Sequence, residues 1–180
     1  MKNLLPLLML MTFFSSLAQV NYLEFNFEYD YSYKRDKDNG YRMENKLATF
    51  VVGKTWSTER PNDKTFFNAS MQISFDEESK TFSNGAIISP NDFVRLSIDG
   101  GKSITGLSVW LFDVNGVFSV GLFRDIGISP WSDRLLNFRI NPALEVVFAK
   151  SFFIRGSAYK VLAPLSPTGT NLVAGVKFKL

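Results

Sequence analysis

Cysteine and histidine are both absent from this chain of 180 residues. Without thiols there can be no disulfide framework, thiolate nucleophile, zinc finger, thiolate-bound cluster or lipidated N-terminal cysteine. Without imidazole the chain lacks the commonest general acid–base group and transition-metal ligand. A Ser-His-Asp triad and a His-Glu zinc helix are therefore excluded, and no cofactor is expected. Long apolar runs are also scarce. After Ala18 none approaches the roughly 18 residues of a helical membrane span. Charge of one sign is not concentrated anywhere: 20 Lys and Arg stand against 17 Asp and Glu, and no cluster of four or more bases occurs. The sequence pI of about 9.1 is thus no nucleic-acid footprint, and no nucleic-acid partner is expected. Charged residues (21%) are too few and aromatic residues (15%) too many for a disordered chain. The length fits one domain plus a targeting segment.

Residues 1–18 read as a secretory signal peptide. Lys2 is a short positive region, Leu4 to Phe14 an apolar core, and Ser16-Leu17-Ala18 a small-residue cleavage site before Gln19. Beyond it the dominant signal is alternation. Leu23, Phe25, Phe27, Tyr29, Tyr31 and Tyr33 share one parity, and Glu24, Asn26, Glu28, Asp30, Ser32 and Lys34 the other. Only a β-strand turns period two into two clean faces. Similar rows run through Phe67 to Phe75, Leu136 to Phe148 and Leu172 to Leu180. The pattern predicts strands at about 20–34, 41–55, 65–76, 80–89, 92–99, 103–113, 117–126, 134–148, 152–162 and 170–180. Pro90 divides the two between 80 and 99, and the count drops toward eight if these form one irregular element or a loop. Arg35 to Gly40, Asp99 to Ser103 and Asp113 to Gly116 read as hairpin turns. Pro142 cannot donate to a ladder, and the unbroken parity around it predicts a bulge rather than a turn.

Alternation does not say which way the apolar face points. A soluble barrel puts it inside and a membrane barrel puts it outside. Strand lengths of 11–15 residues exceed the soluble mode of about 5–6 and suffice for a tilted membrane strand. Tyr29, Tyr31, Tyr33, Tyr41, Trp56 and Trp131 gather at predicted strand ends, as interfacial rings do. The polar face carries both charge signs at mid-strand. The expected fold is therefore all-β: a closed antiparallel up-and-down transmembrane β-barrel of about 8–10 strands, formed by residues 19–180 as a single domain. Phe25, Phe27, Tyr29, Tyr31, Phe138, Ile140, Val176 and Phe178 are expected to face lipid. Glu24, Glu28, Arg139, Glu145, Arg155, Lys177 and Lys179 are expected to form a polar lumen network. In a closed barrel the first and last strands pair, so Glu24 or Glu28 could meet Lys177 or Lys179 across the seam. Separate solvated charges are the alternative.

In this pattern the chain resembles the small outer-membrane β-barrel proteins of Gram-negative bacteria. Ile140 to Phe148, a short turn and Phe152 to Tyr159 are similar to the paired late strands of that family. Gly175-Val176-Lys177-Phe178-Lys179-Leu180 is similar to its terminal strand, although the last residue is Leu180 rather than the usual aromatic. The resemblance implies outer-membrane localisation, lipid as a partner, and recognition of the C-terminal strand by the assembly machinery. The enzymes of the family generally rely on histidine, so it also implies a non-enzymatic member. Three functions remain: a barrel with a structural or surface role, a narrow channel or porin for ions or small solutes, and a soluble periplasmic or secreted barrel binding an apolar ligand. Gly101-Lys102-Ser103 lacks the earlier glycine of a phosphate loop, and Asn68-Ala69-Ser70 falls mid-strand as a chance sequon.

Overall fold

The computed structural model describes residues 20–35, 40–60, 62–75, 80–81, 87–88, 92–128, 136–162 and 168–180. The signal-peptide segment, Trp131 and the acidic Glu77-Glu78 lie outside them. The strands are β1 (Tyr22–Arg35), β2 (Gly40–Ser57), β3 (Asp63–Ser74), β4 (Lys80–Thr81), β5 (Ile87–Ile88), β6 (Asp92–Val109), β7 (Phe112–Ile128), β8 (Asn137–Phe148), β9 (Phe152–Leu162) and β10 (Thr168–Lys179). Eight of them close a barrel in the order β1-β2-β3-β6-β7-β8-β9-β10, with β10 returning to β1. Every pairing is antiparallel. The short β4–β5 hairpin stands apart from the wall. Closure leaves the barrel no sheet edge, so each of its eight strands finds ladder partners on both sides.

Period two decides what each face carries. In β1 the inward row is Tyr22, Glu24, Asn26, Glu28 and Asp30, all buried, while Phe25, Phe27 and Tyr29 are exposed outside. The contrast is largest between Glu24, 1% exposed, and Phe27, 69%. Phe178 is also exposed, and Tyr31, Phe138, Ile140 and Val176 are half-buried on the same outward parity. This arrangement inverts a soluble ligand-binding barrel, whose apolar row lines the cavity. The blurred pattern of β2 has the same origin. Asn45, Leu47, Thr49 and Val51 all point inward, so apolar and polar residues share the lumen row.

Three local expectations are corrected. Asp99 to Ser103 is not a turn but the middle of β6, paired with β3 and β7 on its two sides. Glycines there suit close wall packing rather than reversal: a Cβ on Gly101 would meet the Ser119 backbone. Asp113 to Gly116 is likewise inside β7, and the reversal lies at Trp110-Leu111. Asn-Gly favours a turn only where strand pairing does not override it, and here Asn115 and Gly116 pair with both β6 and β8. Pro142 causes no bulge. β8 is one strand with constant register to β9, and the ladder skips Asn141 and Pro142, the latter having no N–H to give. A register shift does occur, but between Thr105 and Leu107 in β6.

Candidate lumen site

The inward rows of the eight strands fill the barrel in layers. At the end where β1 begins and β10 finishes, β1, β8, β9 and β10 each contribute one charged side chain. Arg155 lies 2.5 Å from Glu145 and 3.3 Å from Glu24, and Lys177 lies 3.4 Å from Glu24 and 3.6 Å from Glu145. Glu24 and Lys177 are register partners across the closing seam, so strand pairing alone brings them together. Glu145 and Arg155 are likewise partners between β8 and β9. Two carboxylates and two cations make the group neutral. Arg155 and Lys177 also stand on the Phe153 ring, at 4.8 and 5.3 Å from its centroid. Asn26 Nδ2 donates to Glu24 and Asn115 Nδ2 to Glu145, which uses further carboxylate lone pairs.

The middle layer is formed mainly by small hydroxyl side chains with two anionic groups. Arg139 makes a bidentate pair with Asp99 at 3.0 and 3.2 Å. Gly121 makes this possible, since a Cβ there would overlap the Asp99 carboxylate. Glu28 accepts from Gln72 Nε2 and Asn171 Nδ2, each at 2.6 Å, and not from a lysine. Lys179 sits exposed at the rim. Of the charges assigned to the lumen from sequence, the structure therefore groups Glu24, Glu145, Arg155 and Lys177. It places Arg139 with Asp99, gives Glu28 amide partners, and leaves Lys179 at the mouth.

The third layer packs the lumen with buried side chains toward the opposite end. Arg95 is fully enclosed, forked onto Asp125 at 2.7 and 3.0 Å. Its guanidinium stacks between Phe123, at 4.5 Å, and Phe93, at 5.2 Å. Asp30 accepts from the Tyr159 hydroxyl at 2.8 Å and from Asn45 at 3.2 Å. Tyr159 reaches inward because its register partner in β10 is Gly169, whose bare Cα lies under the ring. Leu47 and Val161 are completely buried alongside. Sequence reasoning missed Arg95, Asp125, Phe93 and Phe123 as lumen residues. All four fall within the expected strands 92–99 and 117–126, but Phe93 and Phe123 are apolar rings on the inward, otherwise polar parity, which alternation alone assigns to the wrong face.

Between the mouth and this plug is a cavity of about 560 Å³. Its lining runs from Lys64, Lys150 and Lys179 at the mouth to Glu28, Asp99, Arg139 and Asn171. It includes none of Leu47, Arg95, Phe123 or Val161, so among the described residues it ends short of this layer. Among the described residues Asn26 Oδ1, Gln72 Oε1 and Asn141 Oδ1, which border it, have no donor, and water can serve these positions.

No protein-family model matches the chain, and no curated protein matches it. Among solved structures it is similar to neisserial surface protein A (NspA), at 11% identity and a TM-score of 0.57, over 88% of this chain and 96% of that one. It is also similar to the outer membrane enzyme PagL, at 10% identity and a TM-score of 0.50, over 87% of this chain and 99% of that one. At such identities the likeness is one of fold. The chain has the eight-stranded, up-and-down barrel architecture of the small bacterial outer-membrane barrel proteins.

Proposed function

We propose that this protein resides in the bacterial outer membrane as a non-enzymatic barrel with a structural or surface role, and that its lumen conducts nothing. The observation that carries this reading is the plug. Arg95, bonded to Asp125 and stacked between Phe93 and Phe123, fills the lumen together with Leu47, Tyr159 and Val161. An eight-stranded barrel is just wide enough for side chains to fill. A solute entering the cavity would have to break a buried bidentate pair to pass. The outward apolar face supports membrane residence, since the same face in water would be a continuous exposed patch far beyond what soluble monomers carry. The lack of histidine and the mutual pairing of the lumen's Arg and carboxylate groups support the absence of catalysis: groups held in neutral bidentate pairs are poor proton-transfer agents.

Two measurements test the reading together. Carbonate extraction should leave the protein in the membrane fraction. Reconstituted into planar bilayers, it should give no single-channel steps above the lipid background. Regular conductance steps would favour the narrow-channel alternative, and release by carbonate would remove the membrane reading altogether.

A further inference from the structure

We propose that the lumen cavity is a binding site for a short zwitterion of tripeptide length, with its primary ammonium group held at Glu28 and its carboxylate at the lysines of the mouth. This goes beyond the structural role above and does not depend on what surrounds the barrel.

The first observation is charge. Among the carboxylates that line the inner cavity, Glu24 and Glu145 share Arg155 and Lys177, and Asp99 is paired with Arg139. Glu28 differs. It is 7% exposed, and among the described residues no Lys or Arg nitrogen lies within ion-pair distance of it. Its two carboxylate oxygens accept instead from the neutral amides Gln72 and Asn171. The inner cavity is thus left with one negative charge unmatched, and a buried charge without a counter-ion favours a guest of opposite sign.

The second observation is a set of acceptors without donors. Gln72 and Asn26 are 3% and 6% exposed, and both line the cavity. Gln72 gives its NH2 group to Glu28 and Thr49, and Asn26 donates to Glu24, so the carboxylates fix which way each amide is turned. Their carbonyl oxygens, with that of Asn141 on β8, have no donor among the described residues. Gln72 Oε1 belongs to the same amide that touches Glu28 and therefore lies beside that carboxylate. A negative charge with neighbouring carbonyl oxygens suits a primary ammonium group, which has donors and no acceptor.

The mouth has the opposite sign. Lys64, Lys150 and Lys179 line it, exposed and without an ion pair among the described residues, and Asp113, which accepts from Ser108, offsets only part of their charge. A simple anion is opposed by Glu28 farther in, and a simple cation by the lysines at the entrance. A molecule with an ammonium at one end and a carboxylate at the other matches both. Its length follows from the wall. Glu28 is the register partner of Val173, and Lys179 lies farther along β10. The stretch from Val173 to Lys179 covers ~20 Å of strand, or about 15 Å of depth at a tilt of about 40°. The Glu28 and Lys179 side chains reach into that span from its two ends, and three extended residues cover about 10 Å. The cavity of about 560 Å³ is of the size that holds small molecules. Along it Thr49, Ser70, Ser103, Thr105 and Ser119 offer hydroxyls that can either donate to or accept from peptide groups.

The test titrates trialanine into the full chain refolded in detergent micelles, followed by calorimetry and by the side-chain amide NMR signals of Gln72 and Asn171. Saturable one-to-one binding that shifts both signals is expected. N-acetyl-trialanine, which lacks the ammonium, and trialanine amide, which lacks the carboxylate, should each bind about tenfold more weakly, as loss of one charge-assisted contact requires. Putrescine, a cation with no anionic end, should also bind about tenfold more weakly. Glu28→Gln should weaken trialanine about tenfold, and the exposed pair Lys64→Met/Lys179→Met about threefold. If Glu28→Gln does not fold, the comparison of ligands on the parent protein decides. The proposal is overturned if trialanine shows no saturable binding or leaves the Gln72 and Asn171 signals unmoved. It is equally overturned if N-acetyl-trialanine or putrescine binds as tightly as trialanine, or if Glu28→Gln folds and keeps the parent affinity.

Discussion

The neutral group at the lumen mouth makes a quantitative prediction. Arg155 and Lys177 each reach both Glu24 and Glu145, Arg155 more closely, and the side chains of these carboxylates are 2% and 5% exposed. Arg155→Met keeps most of the packing volume and its place on the Phe153 ring but removes the charge. Two buried carboxylates would then share one cation, Lys177. Removing one partner of a buried ion pair costs about 3–5 kcal/mol, because the remaining charge is left uncompensated. The Arg155 side chain is 22% exposed and the cavity reaches it, so hydration reduces the cost toward the lower end, about 3 kcal/mol, or roughly a 150-fold rise in the unfolding constant. Glu145→Gln in the same background restores one anion to one cation. The double variant should recover most of the loss, ending within about 1 kcal/mol of the parent, since balanced pairs replaced together are close to neutral. Urea unfolding in vesicles, followed by tryptophan fluorescence, measures all three proteins. The reasoning fails if Arg155→Met costs less than about 1 kcal/mol, or if the double variant is no more stable than the single one.

The plug and its glycines can be probed in the same assay. Phe123→Ala removes the ring on which both Arg95 and Arg139 stand and should cost about 3–5 kcal/mol; a loss below about 1 kcal/mol would mean that the layer is loosely packed. Gly169→Ala should push the Tyr159 ring away and break its hydrogen bond to Asp30, costing about 1.5–3 kcal/mol. In that background Tyr159→Phe should add almost nothing, and a full additive loss would refute the shared cause. Arg95→Met should destabilise by about 3–5 kcal/mol by removing the guanidinium forked onto buried Asp125, and the growth of bilayer conductance in that variant would locate the block at this layer.

The architecture is legible in the chain because a closed wall with lipid on one side and a polar lumen on the other imposes period two on every strand. In β1 this reads without ambiguity, and pairing of the first and last strands brings Glu24 or Glu28 near Lys177 or Lys179; the register that sets Glu24 opposite Lys177 is visible only in the closed wall. What resisted reading was local. Gly100-Gly101 and Asn115-Gly116 have turn chemistry, yet both sit mid-strand, because neighbours on two sides satisfy every backbone group and closure outweighs local preference. Trp110-Leu111 lacks turn chemistry and yet reverses the chain. The lumen plug was hidden for a related reason. Arg95, Asp125 and Asp30 come from three different strands, and their meeting depends on strand tilt and stagger, which alternation along one strand does not record. Polarity could therefore be assigned to a face from the sequence, whereas the identity of each charge's partner required the closed wall. The same logic explains why Glu28 and Glu24, two residues apart on one row, take different partners. Glu24 meets the cations of β9 and β10, while Glu28, nearer the plug, meets only the amides of Gln72 and Asn171.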